Sequence, residues 1–472
     1  MTRLAPRVAA SRVFAAIAIA WSALAAAHAD WPMFGWNVGR SSAPEVPMGI
    51  AEGDLPALQR KQVRIDGTVD ASAIYLHGVT VAGATHDVFF VTTTYGKTIA
   101  IDADRGTVLW EFTPPSYERV KGTYRITNAT PVADPGGEAI YAASPDGVIR
   151  RLAVADGRVE WSTSITRLPE REKIASPLAF FGGRVIATTG GYIGDRSPYQ
   201  GHVAILDAKS GALLHVWNAL CSNRHELIDP STCAESGAAI WGRAGAVIDA
   251  RTGNLFVATG NARWNGAEYW GDAVLELYRD ATNMLGNYTP TNTEELDATD
   301  EDLGSSSPVL AGGAYVVQGG KDGRLRVLDW RRMAGTVAHR GGESSRVRTP
   351  GAARLFTAPV VWHRAGAIWI VVATSGGTSA WTLDGDTLRP QWQNAHAGTS
   401  PVLADDLLYV YDPGGGLRVY GAESGRLLAD LECGSGHWNS PIVVDGRIAL
   451  PEGNANDHAT SGVLDIWRAA RH

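Results

Sequence analysis

The sequence predicts an all-β protein, an eight-bladed β-propeller of four-stranded antiparallel blades, with seven blades as the alternative. Three observations carry this: a recurrent strand opening, a recurrent strand ending, and a final repeat that is one strand short. The openings join a small residue, Pro and an apolar strand: Thr130-Pro131-Val132, Ser176-Pro177-Leu178, Ser307-Pro308-Val309, Ala358-Pro359-Val360, Ser400-Pro401-Val402 and Ser440-Pro441-Ile442. Looser versions at Ala71 and Trp241 bring the total to eight starts.

Each start is followed by a tight turn, such as Gly182-Gly183, Gly312-Gly313, Asp405-Asp406 or Asp445-Gly446, and then a second apolar strand. Third strands end in Asp, then Gly, then an aromatic beyond the turn: Asp102, Gly106, Trp110; Asp207, Gly211, Trp217; Asp384 and Trp392. Between Ile240 and Asn265 this pattern predicts two strands, Ala244 to Ile248 and Leu255 to Ala258, with Trp241, Asn261 and Trp264 at the strand ends on one side. The last repeat, Ser440 to Trp467, supplies only three strands. Leu58 to Ile65, ahead of the first repeat, is the expected fourth, and sealing the ring from both chain ends leaves no open edge.

Strand parity then separates two faces. Turns after first and third strands are short, whereas long insertions follow second strands or link blades: 192–200, 218–239, 262–271, 287–306, 334–356 and 452–461. The working face is therefore the one that gathers these loops.

Composition narrows the function classes. A formal net charge of -7 and a pI near 6.0 give no general affinity for nucleic acid or anionic lipid, so a small-molecule substrate or an envelope protein is the expected partner. The 54 glycines and 16 tryptophans suit many tight turns and a recurring Trp position. Residues 1–29 read as a secretory signal, with a basic start, an apolar run from Val13 to Ala27 and a small-x-small site before Asp30. The propeller is assigned to 30–472, and the protein is expected to be periplasmic or secreted. No lipid-anchor Cys follows the apolar run, and no later segment is long and apolar enough to act as a membrane anchor. Export permits disulfides, and Cys221 and Cys233, which share one loop, are the favoured pair, leaving Cys433 over.

Repeats such as Gly-His-Val-Ala-Ile-Leu-Asp-Ala-Lys-Ser-Gly, ending at Gly211, give the chain a resemblance to the pyrroloquinoline-quinone (PQQ) type propellers, the quinoprotein alcohol dehydrogenases and their relatives. The resemblance covers most of the expected mature chain and implies a quinone site with calcium. It assigns Trp241 in Ile-Trp-Gly as the floor under the quinone and Asn261 in Thr-Gly-Asn as a calcium ligand. It makes Asp302 in Thr-Asp-Glu-Asp-Leu-Gly the catalytic base, with Asp300 second, and Lys321 in Gly-Gly-Lys-Asp-Gly the cation beside the quinone oxygens. Trp264 is a further cofactor-binding candidate.

The departures are equally specific. The calcium-binding Glu of catalytic members is missing from Gly190-Gly191-Tyr192-Ile193-Gly194-Asp195-Arg196, so Asp195 is the substitute metal ligand. There is no adjacent Cys pair and no Cys-x-x-Cys-His run, so haem is not expected. His437-Trp438-Asn439 and the loop from Asn454 to His458 are placed near the central funnel. Each assignment has a structural counterpart: Trp241 as blade core, Asn261 as a turn residue, 294–302 as a solvated loop, Lys321 as a hairpin residue. Two functions stay open, a dehydrogenase acting on an alcohol or sugar and a non-catalytic propeller that binds protein or polysaccharide.

Overall fold

A computed structural model describes residues 28–469, and the expected signal segment lies almost wholly outside them. Eight antiparallel sheets close into a ring, the strands of blades 1 to 7 following one another in sequence order. The blades span 74–112, 132–164, 179–218, 247–288, 309–348, 360–394 and 402–431. Blade 8 takes three strands from 442–469 and its outermost from Leu58–Ile65, which pairs with Gly462–Ala469 along its whole length. The expected closure is observed, residue for residue.

The recurrent Asp, Gly and Trp positions are explained by packing between blades. The Trp110 indole of blade 1 lies on the turn at Gly157 of blade 2, where an added Cβ would sit 2.6 Å from the ring, and Gly157 itself has φ +72°. Its Nε1 donates to Val154 O at 2.8 Å. Trp161 and Trp392 repeat the bond, donating to Ala208 O at 3.0 Å and to Ala422 O at 2.9 Å in the blades that follow. A flat ring thus fills the wedge between diverging blades while its one polar atom is satisfied.

Three details differ from the sequence reading. The first strand of the 240–265 unit is only Val247–Ile248, because the residues before it form a turn from which Trp241 and Arg243 line the funnel while Ala244 and Ala246 pack into the core. The acidic run contains a helix, Thr293–Thr299, so it is not loop throughout. The 334–356 insertion is split by a strand, Ser345–Arg348, so its first part leaves the third strand of blade 5 on the short-turn face. From there it climbs the edge of blade 4, bridging Gly286 to Ala334 and Thr289 to Arg340.

Residues 31–50 carry no repeat pattern that indicates how they are used. They cross the short-turn face, and backbone N–H groups of Ala133, Ile248, Val361, Leu403 and Gly446 donate to Pro32, Val38, Ser41, Ser42 and Met48. Arg40 is fully buried there, donating to Phe34 O at 2.7 Å and Leu178 O at 2.9 Å, and burial pushes its guanidinium down to about 9. Trp31 also exchanges both backbone hydrogen bonds with Tyr75, so this segment braces blades 1, 2, 3, 4, 6, 7 and 8 beneath the funnel.

Cys221 and Cys233 form the expected disulfide, and Cys433 is a half-buried thiol that burial pushes up to about 12. Among the described residues no helix is long and apolar enough to cross a membrane. Replacing both bridged cysteines with serine should lower stability by about 3 kcal/mol, the loss expected for opening a ring of this size. Denaturant titration checks the value, and unreduced peptide mapping should recover Cys221 joined to Cys233.

Candidate functional site

The funnel on the long-loop face holds a cavity of about 500 Å³. Its walls come from second-strand loops and inter-blade links, as parity requires: 191–199, 236–243, 261–262, 297–302, Lys321, 437–438 and Asn456. A larger cavity of about 840 Å³ lies on the other face beside the 31–50 segment. Of these two cavities the funnel is the one lined by a buried carboxylate and an ammonium in contact, Asp302 and Lys321, which makes it the candidate site.

At its centre Asp302 is held between two donors. Its Oδ1 accepts from Asn261 N at 2.6 Å, and its Oδ2 lies 2.6 Å from Lys321 Nζ. This approach needs Gly260, since a Cβ there would sit 2.7 Å from Asp302 Oδ1. The same ammonium reaches Asp300 Oδ1 at 2.7 Å and lies 5.6 Å from the centre of the Trp241 ring. Asn261 Nδ2 also donates to Asp300 Oδ1, at 3.0 Å, while its Oδ1 is buried without a partner.

The two carboxylates are driven apart. Burial raises the Asp302 carboxyl above the usual range, and the opposing charge of Lys321 does not fully offset it. At the more exposed Asp300, burial also pulls upward, but hydrogen bonds from Lys321 and Asn261 outweigh it and hold the carboxyl low. A proton arriving in this pair therefore goes to Asp302. Behind it Asp272, held well above the usual range by burial, accepts from Leu303 N at 2.8 Å and fixes the backbone that carries Asp302.

Trp241, Asn261, Asp302, Lys321 and Asp195 all line the cavity, and Asp300 touches two of them. Trp264 does not line it. That ring bridges to Trp270 and lies under Arg340, outside the funnel. Asp195 accepts from the Tyr199 hydroxyl at 3.1 Å, and that hydroxyl is pushed upward first by burial and then by Asp195, Asp302 and Asp300. The Tyr199 ring lies where a side chain at Gly191 would go, 2.9 Å from a Cβ built there. Thus a phenol occupies the space beside Gly191, in the 190–196 run that lacks a Glu.

Sequence reasoning missed Tyr199, Arg243, Lys173 and Phe356. Phe356 completes an aromatic run, 6.0 Å from Trp241 and 5.4 Å from Trp438 between ring centres. Trp438 and His437 reach the funnel as expected, both anchored by Asp70, whose Oδ1 accepts from Trp438 N at 2.6 Å and whose Oδ2 meets His437 Nδ1 at 2.8 Å. The available signal was a charged residue just before or after a blade opening, Lys173 ahead of Ser176-Pro177 and Arg243 after Trp241-Gly242.

The sequence model of the family described as outer membrane protein assembly factor BamB matches residues 52–338, more than half of the 472. The chain belongs to this family. No curated protein sequence matches it significantly. Among solved structures, quinohemoprotein alcohol dehydrogenase from Comamonas testosteroni superposes with a TM-score of 0.70 at 15% identity, over 94% of this chain and 81% of that one. A europium-containing methanol dehydrogenase gives 0.71 at 14% identity, over 93% and 98%. BamB from Moraxella catarrhalis gives 0.53 at 14%, over 88% and 98%. At such identities the likeness is one of fold, a PQQ-like propeller that the family shares.

Proposed function

We propose that the protein is an exported, periplasmic or secreted quinoprotein dehydrogenase that oxidises an alcohol or sugar. The observation that carries this reading is the Lys321 ammonium, shared between Asp302 and Asp300 while it stands over the Trp241 ring inside the funnel. A flat aromatic floor with a cation at its edge suits a planar, oxygen-rich ligand, so Trp241 and Lys321 are the residues that would hold PQQ. When bound, that group supplies the acceptor for the hydride leaving the alcohol carbon. Asp302 takes the hydroxyl proton at Oδ2, whose partner Lys321 has a second acceptor in Asp300, whereas Oδ1 stays committed to Asn261 N. As that charge is neutralised, Lys321 turns to Asp300, which remains ionised.

The donors do not add up to a calcium site. Calcium takes six to eight oxygens. Here Asn261 Oδ1 is open, but Lys321 already engages Asp300 and Asp302, and Gly191 offers no side chain. Among the described residues, the three carboxylate or imidazole groups close enough together to hold an ion are His28, His77 and Asp445, far from the funnel, and His28 precedes the expected cleavage point. In this reading the positive charge at the site is that of Lys321, and no step uses a metal.

Titration with PQQ, followed by Trp quenching and by the absorbance of the bound quinone, tests the proposal. Binding should change little between excess calcium and a chelator, and Trp241→Ala should weaken it at least about tenfold. Absence of binding in both conditions would sink the dehydrogenase reading. The Tyr199 ring filling the space beside Gly191 favours the second reading in that case, a propeller that binds an envelope protein or polysaccharide without chemistry.

A further inference from the structure

The end of the funnel away from Asp302 is built from cations that lack counter-charges. Arg243 is 3% exposed, lines the cavity, stacks on Trp438 at 5.8 Å and gives one hydrogen bond, from Nη2 to Trp438 O at 3.3 Å, while its Nε has no partner. Lys173 lies on an additional strand, Glu172–Ile174, that pairs with 189–191 beside blade 3 and projects it into the same cavity. Its ammonium donates to Asn128 Oδ1, a neutral acceptor. No carboxylate lies within ion-pair distance of either cation among the described residues, and the carboxylate that attracts both, Asp70, is saturated by His437, Asn128, Trp438 N and Ala455 N.

We propose that Lys173 and Arg243 form a carboxylate-binding subsite, and that the substrate is an alcohol carrying an acid group, a sugar acid or hydroxy acid of similar length. The proposal rests on the dehydrogenase reading for the hydroxyl end and adds the acid end. Charge selects the contacts: Lys173 and Arg243 attract an anion, whereas Asp195, Asp297 and Asp302, which line the same cavity, repel one. Beside the subsite the Trp438 ring, which lines the cavity and carries Arg243 over its face at 5.8 Å, offers a flat surface to a sugar-sized ligand. A desolvated guanidinium with open donors favours a carboxylate strongly, because binding supplies the partner that burial has withheld. Burial pushes the Lys173 ammonium down to about 8, with neighbouring Arg243 adding to the effect and Asp70 opposing it, which describes a cation short of negative charge.

The test pairs each acid with its neutral counterpart, glycolate with ethanol and glucuronate with glucose. Calorimetry is run on the full mature chain with and without PQQ, so that acid binding is read independently of turnover. At least one acid of the panel should bind about tenfold or more tightly than its neutral partner, and Lys173→Gln and Arg243→Met should each abolish that preference without changing PQQ affinity. Should Arg243→Met fail to fold, the half-buried Lys173→Gln alone decides. Equal affinity within both pairs overturns the proposal. So does a variant that loses PQQ affinity and keeps the acid preference, since the cations would then serve the carboxylates of the quinone. If PQQ never binds but the acid preference appears and depends on Lys173, the dehydrogenase reading fails and the carboxylate subsite stands.

Discussion

Asp302→Asn should leave PQQ and substrate binding within about twofold of the parent and lower turnover by about 10²- to 10⁴-fold, the range a positioned base contributes. The amide keeps the shape, can still accept from Asn261 N, and leaves Lys321 its partner Asp300. What it loses is the atom that takes the proton. On the dehydrogenase reading, the parent protein should lose activity as the pH falls through the raised pKa of Asp302, earlier than an ordinary carboxylate would allow, because burial favours its neutral form. Asp300→Asn should behave differently. With the charge of Asp300 gone, the Asp302 carboxylate is no longer repelled by it and becomes the one anion that Lys321 pairs with in this cluster, so the acid limb of the rate profile should move to lower pH. Steady-state kinetics of both variants across pH would separate the two carboxylates. A full rate for Asp302→Asn would remove it from the chemistry.

The fold was legible because a propeller writes itself repeatedly. Six Ser-Pro-like openings and a last repeat one strand short were enough to identify Leu58–Ile65 as the closing strand, which pairs with Gly462–Ala469 in full register. Parity of strand order also placed the funnel, since it depends only on counting turns. The segment 31–50 was illegible for the opposite reason. It has no repeat and no period, and its pairing is with the innermost strands of blades far away in sequence. At the site, Trp241, Asn261, Asp302 and Lys321 could be found because each stands in a short motif. Tyr199 could not, because its position is set by the space that Gly191 leaves empty, and a missing side chain says nothing of what fills it. Trp264 shows the limit of strand-end reasoning: three residues beyond Asn261, the chain has already turned outward to bridge Trp270.

Deleting Leu58–Ile65 should make the protein insoluble or reduce its melting temperature sharply, because the strand does more than cover an edge. Val63 and Ile65 are buried in the core that joins blades 7, 8 and 1, and two such side chains represent about 3 to 6 kcal/mol. Arg60 carries the larger share of risk. Its Nη2 lies 2.7 Å from Asp465 and 2.9 Å from Glu452, and the Asp465 side chain is fully buried. Burial raises the Asp465 carboxyl to about 7, and Arg60 is the cation opposing that rise. Arg60→Met alone should therefore destabilise by about 3 to 5 kcal/mol at pH 8, the penalty for leaving a buried carboxylate unpaired. The sign of its pH dependence follows from the raised folded pKa. The folded chain holds a proton on Asp465 that the unfolded chain has already released, so stability falls as pH rises through about 7 and returns as pH falls. Without Arg60 the carboxyl rises further, so the deficit of Arg60→Met should shrink on acidification, whereas the deletion, which also strips Val63 and Ile65, should stay destabilised at every pH. Denaturant melts of the parent, Arg60→Met and the deletion at pH 5 and pH 8 distinguish these contributions, and a deletion that melts like the parent would mean that the ring is closed by some other segment.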